Sequence, residues 1–208
     1  MTESFTILGK TLEFDPSEHI YKYDGHELPS ITRLLKNILP DKYKGVDENT
    51  LNIASIRGTY IHMLIEEYEK CQIDDSSSKE LRNYKFLKKN YKFEVVSSET
   101  PVVLFDNGTP IAGGMIDLVI KKDDKLGIAD IKTTSVLDKE YVTVQTNLYR
   151  IAYQQSYGEE ISFLKAIWLK EDKRRFVNLP INEHYLNEAL KTRTNKSIYS
   201  LENNNFII

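Results

Sequence analysis

Hydrophobic positions along the chain change period near residue 93, separating a mainly helical first part from a strand-rich centre. Ahead of that point, Leu12-Glu13-Phe14 and Ile20-Tyr21-Lys22-Tyr23, set around Asp15-Pro16 and followed by Asp24-Gly25, predict a small β-hairpin and a turn. Pro29-Ser30 opens a helix with Ser30 as N-cap and Ile31, Leu34, Leu35 and Ile38 as its apolar face, stopping before Pro40. Residues 41–49 read as a polar loop. Asn49 or Thr50 is the expected cap of a longer helix reaching about Lys70, in which Ile61, Leu64, Ile65 and Tyr68 recur at helical spacing. After a polar linker from Asp74 to Ser78, residues 79–92 predict a helix whose buried stripe is Leu81, Tyr84, Leu87 and Tyr91.

Strand patterns follow at 93–96, 102–105, 111–120 and 126–132, with Asp106-Asn107-Gly108 as a turn. A helix is expected at 139–157, stopped by Gly158, then a strand pair at 161–169 and 175–181 and an amphipathic helix at 182–200. This order predicts an α/β fold in which a mixed central sheet is flanked by helices, with an N-terminal hairpin-helix extension. One domain is expected over 1–208: hairpin and helix in 1–45, core in 50–157, and further strands and a helix in 158–208.

Composition narrows the class of protein without defining it. With 208 residues, 40% hydrophobic and 28% charged, the chain has the make-up of a soluble globular protein. No apolar run approaches the roughly 20 residues of a membrane helix, and the Met1-Thr2-Glu3 start matches no leader or transit segment, so a cytoplasmic location without membrane contact is expected. Cys71 is the only cysteine, which excludes an internal disulfide and a four-cysteine zinc or iron–sulfur site. The net charge of −3 does not advertise nucleic-acid binding, but its distribution is uneven. Lys79, Arg82, Lys85, Lys88, Lys89 and Lys92 face only Glu80 between 79 and 92, so one helix face is either solvated or tracks phosphates. A second cluster, Lys170 with Lys173-Arg174-Arg175, falls at an expected hairpin turn, where the solvated reading is favoured.

The chemistry concentrates in Gly114-Met115-Ile116-Asp117 and Asp130-Ile131-Lys132. If Asp123 and Asp124 form a two-residue hairpin turn, the pairing sets Asp117 opposite Asp130. Alternation then turns Asp130 and Lys132 to the same face, so two carboxylates and an ammonium share one patch of sheet. Like charges opposite each other destabilise a ladder unless something neutralises them, and a divalent cation would. An Asp-x-Lys triplet alone recurs by chance, so its company decides. On the long helix Gly58, His62 and Glu66 stack on one face, and the missing side chain at Gly58 allows close approach to His62. Gln145 and Tyr149, four apart, can face the same patch. Glu99 can add a carboxylate, although an Asn107-Gly108 turn pairs position 98 rather than 99 with Asp117; a one-residue bulge at Gly113-Gly114 would correct this.

Taken in order, Arg57-Gly58-Thr59-Tyr60-Ile61-His62, the strand Glu99, Gly114 to Asp117, Asp130-Ile131-Lys132 and Gln145 with Tyr149 resemble the RecB-like branch of the PD-(D/E)XK nuclease superfamily, which includes phage and recombination exonucleases. Pro29-Ser30-Ile31-Thr32 ahead of a helix is similar to the start of small exonucleases of that branch. The resemblance implies a restriction-endonuclease-like core and metal-dependent cleavage of DNA during recombination, replication or repair, and DNA as the partner, with a recombination or replication protein as a further one. It implies His62, Asp117 and Asp130 as metal ligands, joined by the Ile131 carbonyl and Glu99; Lys132 as catalytic; and Gln145 and Tyr149 as supports of the site or DNA contacts. One or two Mg2+ or Mn2+ ions are expected, with Glu99 or Glu66 as candidates for the second, and the imidazole makes Mn2+ at least as suitable as Mg2+. Arg57, Arg82, Lys85 and Lys89 are the expected DNA-binding cations. The iron–sulfur cluster of some relatives is not expected with a single cysteine, nor is the processive unwinding of relatives fused to a helicase. The competing expectations are a structure-specific or single-strand endonuclease, a catalytically silent DNA-binding module on the same fold, and a coincidence of motifs.

Overall fold

The computed structural model describes residues 2–39, 47–75, 77–185, 187 and 190. Two sheets result from the strand patterning. The first is an antiparallel meander of β1 (Glu3–Ile7), β2 (Lys10–Asp15), β3 (Ile20–Tyr23) and β4 (His26–Leu28), ordered β1-β2-β3-β4. The expected hairpin is its β2–β3 centre; the flanking strands, five and three residues long, carry too little alternation to be read alone. Ser30 caps α1 (Ile31–Ile38) through its side chain, as its position before the apolar face predicts. The cap of α2 (Glu48–Cys71) is Asp47 rather than Asn49 or Thr50, its carboxylate accepting from both the Thr50 amide and hydroxyl. Residues 41–46 of the expected loop lie outside the described residues, as does most of the expected helix at 182–200.

Ser78 caps α3 (Lys79–Tyr91), in which Leu81, Tyr84 and Leu87 are buried while Tyr91 remains 42% exposed and leans on Phe176, its ring 4.7 Å away. The second sheet has the order β5-β6-β7-β8-β9, from β5 (Glu94–Asp106), β6 (Thr109–Lys122), β7 (Lys125–Lys132), β8 (Phe163–Lys170) and β9 (Lys173–Leu179). β7 and β8 are parallel, joined across α4 (Lys139–Tyr157); the other pairings are antiparallel. Asp138 caps α4 and Gly158, at φ 72°, ends it. One core cluster joins α1 and α4 to the sheet, and another joins α2 and α3 to it, giving the mixed sheet flanked by helices that the element order predicts.

Two features of β5 and β6 place the site. The turns at Asn107-Gly108 and Asp123-Asp124 have both central residues at positive φ, as two-residue hairpins of this hand require. The register slips by one residue, but at Ile111, between the Leu104–Ala112 and Phe105–Pro110 pairs, not at Gly113-Gly114. Proline has no amide hydrogen for a ladder, and a slip beside it and the adjoining turn disturbs less pairing than one in the middle of the strand. The glycines instead make room. A Cβ on Gly113 would lie 2.6 Å from the Tyr21 ring, and one on Gly114 would lie 2.7 Å from Tyr149 Cε1 and 3.0 Å from Ile31 Cδ1. The Gly113 amide also donates to the Pro29 carbonyl (3.0 Å), which docks the N-terminal segment on the free side of β6.

The outer edge of β5 is closed by side chains of α4. The Gln155 amide accepts from the Phe105 N–H (2.8 Å) and donates to its carbonyl (3.0 Å), and Ser156 Oγ does the same for Val103 at 3.0 and 3.2 Å.

Gly114→Ala is expected to lower stability by about 1–3 kcal/mol, because its neighbours are a buried ring and a buried branched chain that cannot both give way. Gly58→Ala is expected to be neutral or mildly stabilising: the added methyl meets only Thr133 Oγ1 at 3.4 Å, and alanine is the better helix former. Thermal melts of the two variants check this contrast.

Candidate active site

The site forms where β6 and β7 part. Their ladder runs from Lys122–Lys125 to Leu118–Ala129 and stops one pair short of Asp117 and Asp130. The next ladder donor, the Ile131 N–H, is taken by the Asp117 side chain, with Oδ2 accepting at 2.6 Å. Asp117 thereby closes the end of the ladder and keeps Oδ1 directed elsewhere. Asp130 and Lys132 share a face, as alternation requires, with Lys132 Nζ 2.6 Å from Asp130 Oδ2. The contact is an ion pair without hydrogen-bond alignment at Oδ2.

From the opposite side α2 delivers His62. Its Nε2 lies 3.1 Å from the Ile131 carbonyl and its Nδ1 3.6 Å from Asp117 Oδ1. Donation from Nε2–H to that carbonyl puts the lone pair on Nδ1, facing Asp117, the orientation in which a backbone acceptor fixes a metal-binding imidazole. The slip at Ile111 moves the β5 register so that Glu99, between the Ser98–Leu118 and Thr100–Ile116 pairs, stands across from Asp117. Glu99 is also held at φ 46°, an uncommon conformation for a residue with a side chain.

His62, Glu99 and Asp117 each offer one ligand atom within 4.8 Å of the others. An ion with octahedral bonds of about 2.1 Å holds adjacent ligands about 3 Å and opposite ones about 4 Å apart, so a small contraction of this group suits Mg2+ or Mn2+. Its electrostatics point the same way. Burial, reinforced by the charges of Asp117 and Glu66, pushes the Glu99 carboxyl up to about 8. Burial likewise raises Asp130 to about 6, against the lowering influence of Lys132. Burial opposes the charge on Lys132, but Asp130 and Asp117 outweigh it and hold the ammonium above its ordinary range. Two carboxyls whose ionisation the fold resists are a cation's natural setting.

A cleft of about 250 Å3 contains these groups together with Gln145 and Tyr149 of α4. Gln145 is buried in the cleft wall, and its Oε1, shielded from solvent, has no hydrogen-bond partner among the described residues. Tyr149 lies against the space left by Gly114; its hydroxyl meets Thr32, and burial holds the phenol well above its ordinary range. The cleft thus gathers His62, Glu99, Asp117, Asp130, Lys132, Gln145 and Tyr149, with Ile131 adjoining through its backbone. Asp130 does not join the three-residue ligand group, and Glu66 is engaged by Lys70 in an ion pair one helical turn on.

The expected DNA-binding cations are elsewhere. Arg57 pairs with Glu80, which also accepts from the Glu171 amide at 3.2 Å, so Arg57 ties α2 to α3 and the β8–β9 turn. Lys85 pairs with Asp74 and lies 5.4 Å from the centre of the Tyr68 ring. Arg82 and Lys89 are exposed on α3, which packs with α2 on the other face of the sheet. The residues that sequence reasoning missed come from the first sheet and α1: Phe14, His19, Tyr21, Ser30 and Thr32 all line the cleft. Pro29-Ser30-Ile31-Thr32 was the one local signal of their presence; the contribution of the meander depends on tertiary docking.

A family model of the PD-(D/E)XK nuclease superfamily matches residues 78–206, and the chain belongs to that superfamily. Its mixed sheet flanked by helices is the restriction-endonuclease-like fold. Among solved structures, one titled "Crystal structure of SSO0001" aligns over 79% of this chain and 74% of its own, at 16% identity and a TM-score of 0.45. The comparison with curated proteins returns no match. Among the described residues, no helix is long and apolar enough to cross a membrane.

Proposed function

We propose that the protein is a Mg2+- or Mn2+-dependent deoxyribonuclease, and that it removes nucleotides from DNA ends in recombination, replication or repair. The observation that carries this reading is the convergence of the His62–Glu99–Asp117 group and the Asp130–Lys132 pair in one cleft of a nuclease-superfamily fold. A phosphodiester is anionic and repels hydroxide, so its hydrolysis needs local neutralisation and an activated water. A bound divalent cation supplies both. His62, Glu99 and Asp117 would hold it, with Asp130 and the Ile131 carbonyl beside them.

The protein groups divide the remaining work. Asp117 is fixed by the Ile131 amide, so a ligand atom is placed before substrate arrives. Lys132, kept charged by its acidic neighbours, orients the attacking water or meets the charge that develops on the phosphoryl oxygens. Gln145, buried in the cleft wall, supports the same space from α4. The exonuclease assignment follows the likeness to the RecB-like and phage branch. A phosphate-tracking role for Lys89 is compatible with its exposure; Arg82, though exposed, is engaged within the protein, and Arg57 and Lys85 would first have to leave their ion pairs.

Asp117→Asn is expected to reduce hydrolysis of linear DNA in Mn2+ by at least about a thousandfold, since a ligand and an anchored charge are lost together. The variant keeps an oxygen for the Ile131 amide, so its melting temperature checks that the fold persists. Full activity in the variant would refute the assignment. Closed circular DNA tests the subclass: an exonuclease leaves it intact, and cutting would identify an endonuclease.

A further inference from the structure

A second and larger cleft, about 570 Å3, adjoins the catalytic one between the first sheet and α2. The two share Phe14, His19, His62, Glu99 and Met115, so they form one continuous hollow. Its surfaces are chemically sorted. Phe5, Phe14, Met63 and Met115 provide an apolar lining, while Glu3, Glu66 and Glu99 place carboxyl groups around it, with Lys70 already paired to Glu66. Lys70, the one lysine of this lining, is committed to Glu66, and Glu99 belongs to the ligand group, so the wall offers a phosphate no free ammonium. On the other side of the site, a cleft of about 480 Å3 is lined by Lys132, Thr134 and Ser135 among mainly apolar side chains, with Asp138 committed to the cap of α4; its ammonium and hydroxyls are groups that an anionic backbone can use.

The aromatic part of the wall is built and held. Phe14 stacks on Tyr21 with ring centres 4.6 Å apart and planes 22° from parallel. His19 stands edge-on to both, at 5.5 and 5.8 Å. The turn carrying His19 is fixed by Asp15, whose Oδ1 accepts from Ser17 N–H (2.9 Å) and Ser17 Oγ–H (2.6 Å), and His19 itself is held at φ 54°. The turn backbone is thereby held, and the His19 ring lies edge-on to Phe14 and Tyr21 in the wall of the hollow.

We infer that the hollow bounded by Phe14, His19 and Met115 is a subsite for one unpaired nucleobase, next to the phosphate being cleaved. A base offers a flat apolar face to aromatic and thioether surfaces and needs no cation in the wall that receives it. A base-paired nucleotide cannot enter without leaving its stack, so the protein would act on single-stranded or frayed ends and degrade blunt duplex poorly. This inference rests on the nuclease reading of the same site.

Steady-state cleavage of single-stranded oligonucleotides, intact or with an abasic residue at the 5′- or 3′-terminal position, tests it for the full-length protein in Mn2+. The wild type is expected to lose about tenfold in kcat/KM on abasic removal at one end, mainly through KM. Phe14→Leu and His19→Ala are expected to cut the intact substrate with a KM raised by a similar factor, a kcat within about twofold, and little further loss on the abasic one. Their melting temperatures establish that the meander still folds. A wild type that cuts intact and abasic ends equally well overturns the subsite while leaving the nuclease assignment standing, as does full retention of the discrimination by both variants. Absence of any cleavage by the wild type is a different result: it removes the nuclease assignment, and the subsite with it.

Discussion

Lys132→Ala is expected to abolish hydrolysis and to destabilise the protein by about 3–5 kcal/mol at pH 8, because it strands the Asp130 carboxylate in the interior. Asp130 is only 3% exposed, and its close cationic neighbour is Lys132. With that neighbour in place burial already raises the carboxyl to about 6; without it the folded-state value rises further above the unfolded one. A carboxyl of this kind contributes stability below its unfolded value and loses it as the pH climbs through the folded value. The cost of Lys132→Ala should therefore be small near pH 5, where Asp130 is protonated, and large at pH 8. Asp130→Asn combined with Lys132→Met removes both charges and is expected to recover most of the stability at pH 8 with no recovery of activity. Chemical denaturation of the wild type and the two variants at both pH values measures this. Equal destabilisation of Lys132→Ala at pH 5 and pH 8 would assign the loss to packing instead of to the buried charge.

The second large effect concerns Glu99 and is strongest in metal-free protein. Burial, with Asp117 and Glu66 nearby, raises its carboxyl from an ordinary 4.5 to about 8. Folding of the apo protein should accordingly weaken as pH rises over two overlapping windows, from 3.8 to about 6 for Asp130 and from 4.5 to about 8 for Glu99. Glu99→Gln is expected to abolish the decline between about pH 6 and 8 and to lessen that between 4.5 and about 6, where Asp130 still contributes. A saturating divalent ion should reverse the decline in the wild type, where it binds the ionised carboxylates of the folded state, and restore much less in the variant. Metal binding at pH 7 should release a proton in the wild type, detectable as a dependence of the calorimetric heat on the ionisation enthalpy of the buffer. Melting temperatures of metal-free wild type that stay level from pH 6 to 8 would contradict the proposed setting of Glu99.

The legible parts of this molecule are those governed by local rules. Ser30 before an apolar face, the Asp123-Asp124 turn and Gly158 after α4 are decisions made within a few residues, and each appears where hydrogen bonding and φ preferences require. Asp117 and Asp130 were brought near each other by the same reasoning, since a two-residue turn fixes every pairing behind it. What the sequence concealed depended on distant partners. The slip that brings Glu99 across from Asp117 was anticipated, but its position at Ile111 was not, because Gly113 and Gly114 look like bulge residues until Tyr21 and Tyr149 are seen filling the space above them. Arg57 looked like a phosphate ligand because its partner Glu80 lies on another helix, beyond the reach of spacing rules. The first-sheet wall of the cleft was hidden for a related reason: nothing local to Phe14 or His19 says which face of β6 the meander will cover.

The closure of the β5 edge by Gln155 and Ser156 bears on how copies of the chain meet. With the outward-facing groups of Val103 and Phe105 already satisfied, that stretch gives no template for strand addition by a neighbour. The other border of the five-stranded sheet is β9, where Lys173, Arg174 and Arg175 would set like charges side by side in a two-fold antiparallel pairing. Both stretches thus discourage strand addition at the borders of the five-stranded sheet.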